Sequence, residues 1–203
     1  IILPDGGYNL STANIGLKVI KVNQAVCGNS SERYTSSTAS AVKTFQRTHG
    51  LGVTGIVDIT TWKAMGYSEY DWYNLGTYRT PIKVFNGATR EYRINAMLQT
   101  AAEYASAGTK YKVGCSGTPG TYVDCSGLIY QCLYAAGINP ASNIVDHALA
   151  IYEYTSANLA ADNRLGIEVA SYDLQPGDLV FYAKNGKSSV CHIAIYAGNG
   201  CIY

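Results

Sequence analysis

The sequence predicts an α+β protein, a domain with helices first and an antiparallel sheet last, preceded by a small all-α three-helix bundle. Three observations predict it. Helical apolar spacing, bounded by capping residues, fills the stretch up to Gly66. Helical spacing returns over residues 90–106 and 126–136. After Pro176-Gly177, three short apolar runs are divided by glycine-containing turns, the pattern of a meander.

Composition limits the function classes. With 47% hydrophobic and 14% charged residues, the chain is an ordinary globular protein with a substantial core, neither disordered nor membrane-spanning. No apolar run approaches the roughly 20 residues of a spanning helix. The net charge of +1 leaves no electrostatic footprint for nucleic acid or anionic lipid. Up to residue 66 there are six Lys/Arg and three Asp/Glu; beyond it there are nine and eleven, so neither half is strongly basic. The start, Ile1-Ile2-Leu3-Pro4, lacks an initiator Met and a basic, then apolar, leader, which predicts a chain whose secretion signal is already gone. The six cysteines are irregularly spaced in a chain able to form a core unaided, so mostly free thiols are expected. Tyrosine is the oddity, 18 against 3 Phe and 2 Trp, and is expected at core edges and domain contacts.

In the first block, residues 1–66, Leu17, Ile20 and Gln24 predict one helix with Val19 and Val26 beside the stripe. Thr35, Ser36 and Ser37 are N-cap candidates for a second, with Ala41, Val42 and Phe45 as its apolar face and Gly50 as its stop. Asp58 can cap a third through Thr61, Trp62 and Met65, closed by Gly66. Leu51-Gly52-Val53-Thr54-Gly55 reads as a turn. Residues 67–88 hold four Tyr, one Trp, Pro81 and two Gly without a period, an aromatic join expected to pack.

In the second block, residues 89–203, Ile94, Met97, Leu98, Ala101, Ala102 and Ala105 predict an amphipathic helix. Residues 126–136 predict another, ending at Gly137, and Ile144 to Tyr154 a third. The strands are expected at Leu179–Tyr182, Val190–Tyr196 and from Cys201.

Asp124-Cys125-Ser126-Gly127 stands directly before the apolar run Leu128, Ile129, Cys132, Leu133. A cysteine there opens a helix, where unpaired amides and the macrodipole favour thiolate, so a depressed pKa is expected. The small Ser126 and Gly127 would let a substrate carbonyl approach the backbone amides. Downstream, alternation sends His192 to the sheet face of Ala194 and Tyr196. If the cysteine's helix lies across that face, Cys125 and His192 meet as thiolate and imidazolium. His49 and His147 carry no associated motif and are expected at the surface or in packing. A metal site of Cys125, Cys191 and His192 would lack paired Cys-x-x-Cys spacing, so no metal and no cofactor is expected.

Gln24, Thr38, Ala41-Val42, Phe45-Gln46, Gly50-Leu51, Thr54-Gly55, Val57-Asp58 and Thr61-Trp62 resemble the type 1 peptidoglycan-binding domain, a three-helix bundle attached to wall hydrolases. Tyr111-Lys112-Val113-Gly114, Asp124 to Gly127, Leu174 to Phe181 and His192 to Gly198 resemble, in order and spacing, the NlpC/p60 cell-wall peptidases over residues 89–203. The resemblance implies a papain-like fold in which a cysteine attacks the bond between D-glutamate and the diamino acid of peptidoglycan stem peptides. It makes Cys125 the nucleophile and His192 the base, and then the acid that protonates the leaving amine. Asp124 matches a position that recognises the substrate's amino group; Tyr111 and Ser126 match positions lining the cleft. It also implies a third polar residue, often His, about twelve positions after His192; the chain ends at Tyr203, so that residue is expected just beyond it. Peptidoglycan is the expected partner, with no nucleic acid or membrane, and the expected state is a secreted or wall-associated monomer. The alternatives are an N-acetylmuramoyl-L-alanine amidase of the same superfamily and a non-catalytic wall-binding protein.

Overall fold

A computed structural model describes residues 9–140, 155–185 and 188–203. The helix predicted over Ile144 to Tyr154, with His147, lies outside the described residues. The fold is mixed helix and sheet, as the sequence predicts. The chain divides into two compact units, with the boundary between Tyr78 and Arg79; Lys112–Cys115 belongs to the first.

In the first unit, α1 (Leu17–Cys27), α2 (Ser36–Thr48) and α3 (Ile59–Ala64) form where capping chemistry starts them. Thr35 and Thr38 make a reciprocal capping box on α2, and Asp58 accepts from the Thr61 amide at 2.7 Å on α3. The buried side of α1 is Lys18, Val19, Ile20, Val22 and Asn23; Gln24, placed on the apolar stripe by sequence, is exposed. The core is Leu10, Val19, Val22, Tyr34, Val42, Val57, Trp62 and Trp72. Trp72 comes from α4 (Glu69–Asn74), a helix with no expected period, capped by Ser68.

Gln46 explains two of the motif pairs. Its Oε1 accepts from the Thr54 and Gly55 amides at 3.0 and 2.9 Å. Its Nε2 donates to the Ile56 carbonyl at 2.8 Å and to the Thr61 hydroxyl at 3.2 Å. One buried amide therefore ties the Thr-Gly turn to α3, and Thr61 and Gln46 are paired for packing reasons. Gly55 sits at φ 74°, and a Cβ there would lie 2.8 Å from Lys43 Cε and 3.2 Å from the Ala39 carbonyl oxygen.

In the second unit, α5 (Arg90–Ser106) buries Ala96, Met97, Thr100, Ala101 and Tyr104, so the buried stripe is centred one position from the predicted one and Ala105 is exposed. A short parallel pair follows, β1 (Lys110–Tyr111) and β2 (Tyr122–Val123), with Tyr111 opposite Val123. Then comes α6 (Cys125–Ala135), buried on nearly every side, as expected of a helix whose sequence is apolar all round. Gln131, 0% exposed, holds it: Oε1 accepts from the Thr80 amide and hydroxyl, and Nε2 donates to Ser116 Oγ at 2.9 Å. Ser116 Oγ donates in turn to the Gly127 carbonyl in the first turn.

After α7 (Ser156–Ala161), the chain forms the antiparallel sheet β3 (Leu179–Ala183), β4 (Val190–Gly198) and β5 (Cys201–Ile202), in that order. Ile193, Ala194 and Ile195 are all buried, so both faces of β4 are covered at its centre, and α6 and α7 pack on that strand. Gly177 starts the sheet at φ 94°; a Cβ there would meet Ile94 Cγ2 at 2.7 Å.

Candidate active site

The helix start predicted at Cys125 is where the structure places it. β2 leads into Asp124, the N-cap of α6, so Cys125 is the first residue of the helix and half-buried. Asp124 Oδ1 accepts from the Gly127 amide at 2.7 Å and from the Ser126 hydroxyl at 3.0 Å. Asp124 and Ser126 are 8% and 4% exposed. Both predicted cleft residues thus hold the first turn in shape, and the Gly127 amide, expected to be open to a substrate carbonyl, is engaged by the cap.

The β1–β2 register carries Tyr111 to Cys125, since its partner Val123 lies two residues before that cysteine. Tyr111 Oη donates to Cys125 Sγ at 4.0 Å, and 59% of the residue remains exposed. Loss of solvent, then the negative charges of Cys125 and Asp124, push the Tyr111 phenol up to about 12, so it stays a donor at neutral pH.

On its other side Cys125 meets β4. α6 packs on that strand, and the backbone amides of Ile193, the residue after His192, and of Ser126 act on Sγ to favour its charged form. The helix that Cys125 opens therefore touches the strand that carries the predicted base. His192 is exposed, with its ring 5.7 Å from that of Tyr182, the residue directly across the ladder. Among the described residues no hydrogen bond joins the imidazole to Sγ.

The expected depression of the cysteine pKa is corrected by its surroundings. Burial first, and then the Asp124 carboxylate, raise the Cys125 thiol above its ordinary value. The Ile193 amide, the Tyr111 hydroxyl and the Ser126 amide oppose that rise without overcoming it. A helix terminus favours a thiolate, whereas loss of solvent and the neighbouring N-cap carboxylate both favour the thiol.

Sequence reasoning missed the Ile193 amide and the Tyr182 ring. Neither had a signal of its own, because both depend on a strand register that only the folded hairpin supplies. Among the described residues, no group of three or more His, Cys, Asp or Glu could hold a metal ion, and no helix is long and apolar enough to cross a membrane.

Residues 21–65 match the family described as "Putative peptidoglycan binding domain", and residues 108–202 match the NlpC/P60 family. A protein of Bacillus subtilis (strain 168), named gamma-DL-glutamyl hydrolase, is 30% identical over 156 residues, which is 76% of this chain and 31% of that protein. The chain thus spans about a third of the length of that curated relative. No solved structure shows a significant match. The second match spans both Cys125 at its helix start and the strand that meets it, and residues 108–202 belong to the NlpC/P60 family.

Proposed function

We propose that the protein is a peptidoglycan D,L-endopeptidase, cutting between D-glutamate and the diamino acid of stem peptides, with residues 1–66 binding the wall, residues 67–88 joining, and residues 89–203 carrying the chemistry. The observation that carries this reading is the packing of α6, which Cys125 opens, on β4, the strand that holds His192. The matched wall-binding family over residues 21–65 supports peptidoglycan as partner, and the name of the Bacillus subtilis relative supports a glutamyl bond as the one cut. The protein then acts as a wall-associated, secreted monomer without metal or cofactor.

In this mechanism Cys125 rests as a thiol. His192 accepts the Sγ proton as sulfur attacks the D-glutamyl carbonyl carbon, and the Tyr111 hydroxyl donates to the oxyanion. The imidazolium returns the proton to the leaving amine, and water then hydrolyses the thioester. Asp124 presents negative charge near the substrate's amino group while capping α6, and Ser126 holds that carboxylate in place. A residue orienting the imidazole fits position 204: Ile195 exchanges backbone bonds with Tyr203 at 3.1 and 3.0 Å, so continued pairing sets the next position opposite Ala194, on the face of His192.

The test is digestion of purified peptidoglycan by the wild type, Cys125→Ala and His192→Ala, read by mass spectrometry. New N-terminal diamino acid from the wild type alone is expected. A new N-terminal L-alanine would establish the amidase instead, and equal products from all three would remove the mechanism. A γ-linked glutamate oligomer belongs beside the wall as second substrate, since the relative's name specifies a glutamyl bond and no wall.

A further inference from the structure

We propose that Tyr182 is a positioning residue for the His192 imidazole, an inference that rests on the reading of His192 as the base. Tyr182 and His192 are direct partners in the β3–β4 ladder, so their side chains leave the same face of the sheet. Their ring centroids lie 5.7 Å apart at an interplanar angle of 46°. The register shifts immediately after Tyr182, between it and Ala183, so this is the last regular pair before the ladder breaks.

On its other edge β4 pairs with β5, where Tyr203 lies opposite Ile195, and on the β3 side the ring neighbour of His192 is Tyr182. His192 is exposed, and an exposed imidazole with two free torsions populates several rotamers. A base left open on its β3 side would spend part of its time in rotamers that swing toward that strand. The Tyr182 ring occupies the space on the β3 side of the imidazole and removes the rotamers that swing toward it. The contact is ring to ring, so the aromatic face rather than the hydroxyl performs the positioning. Tyr182 is itself 38% exposed, which leaves it replaceable without opening the core.

The experiment uses the full chain and a soluble stem peptide containing a γ-D-glutamyl to diamino-acid bond. Tyr182→Leu and Tyr182→Thr remove the ring, Thr being the variant that retains strand preference; Tyr182→Phe keeps the ring. The ring-free variants are expected to lose about 10- to 100-fold in kcat with KM within about twofold, and Tyr182→Phe to remain within about twofold of wild type. In the Cys125→Ala background, the His192 ring-proton resonances should move in the ring-free variants and stay in Tyr182→Phe. Unchanged kcat in folded ring-free variants overturns the proposal, as does a raised KM with kcat intact, which would make Tyr182 a substrate contact. Equal damage in Tyr182→Phe also overturns it. An active His192→Ala would instead overturn the reading of the base, an outcome separate from any of these.

Discussion

Raising the pH from about 7 to about 9.5 should stabilise the first unit, because folding there buries Lys18 at 1% exposure. Burial lowers its pKa from 10.5 to about 8, with the ammonium 4.9 Å from the Trp72 ring centroid. Below the folded value the lysine is charged in both states and the fold carries the whole desolvation cost. Between the two values the folded lysine is neutral while the unfolded one still binds a proton, so stability rises with pH. Integrated over the interval, the gain is about 2 kcal/mol. The window closes near pH 10, where unfolded tyrosines begin to ionise while burial holds the Tyr34 pKa above its ordinary value, an effect of opposite sign. The assay follows from the core: both tryptophans of the chain, Trp62 and Trp72, lie in it, so urea unfolding followed by tryptophan fluorescence reports this unit. Lys18→Met keeps the chain length and removes the titration, and its unfolding free energy should lose the rise. The same rise in both proteins, or none in the wild type, would refute the argument.

Two further outcomes are expected. Asp124→Asn retains an N-capping oxygen for Gly127 but removes the charge that helps raise the Cys125 thiol, so alkylation of the Cys125 peptide at fixed neutral pH should become faster, measured by mass spectrometry; slower alkylation would contradict the assigned cause. Gln46→Leu should cost about 3–5 kcal/mol, since it strands the buried amides of Thr54 and Gly55 and the Ile56 carbonyl, and the tryptophan transition should move to much lower urea.

The elements were legible where length and capping chemistry agreed. Thr35 and Asp58 cap the helices for which the sequence offers them, and residues 90–106 form one helix. What the periodicity misplaced was the buried face. Lys18 and Asn23 lie inside although they are polar, because Trp72 covers the first and the Ser31 and Arg33 carbonyls accept from the amide of the second. Hydrophobic patterning assigns such residues to solvent, and only a partner elsewhere in the chain reverses that. α4 escaped for a different reason: six residues make fewer than two turns, too short for a period, though Ser68 three residues before Asp71 was a usable cap signal.

At the site, the helix start at Cys125 was readable but the protonation of its thiol was not. Asp124 before Cys125 announces both a helix start and a neighbouring charge, and these act on the sulfur in opposite directions. The outcome depends on how much solvent the sulfur loses, a quantity fixed by α6 packing against β4 and by Ser116 and Gln131 holding its first turn. In the proposed mechanism a resting thiol changes the task of His192: the imidazole takes a proton during attack, so its ring has to be aligned when substrate arrives rather than be locked beforehand by a charged partner. The Tyr182 ring beside the imidazole is intelligible on that footing, since an imidazole already ion-paired to thiolate would need no aromatic wall to hold its rotamer.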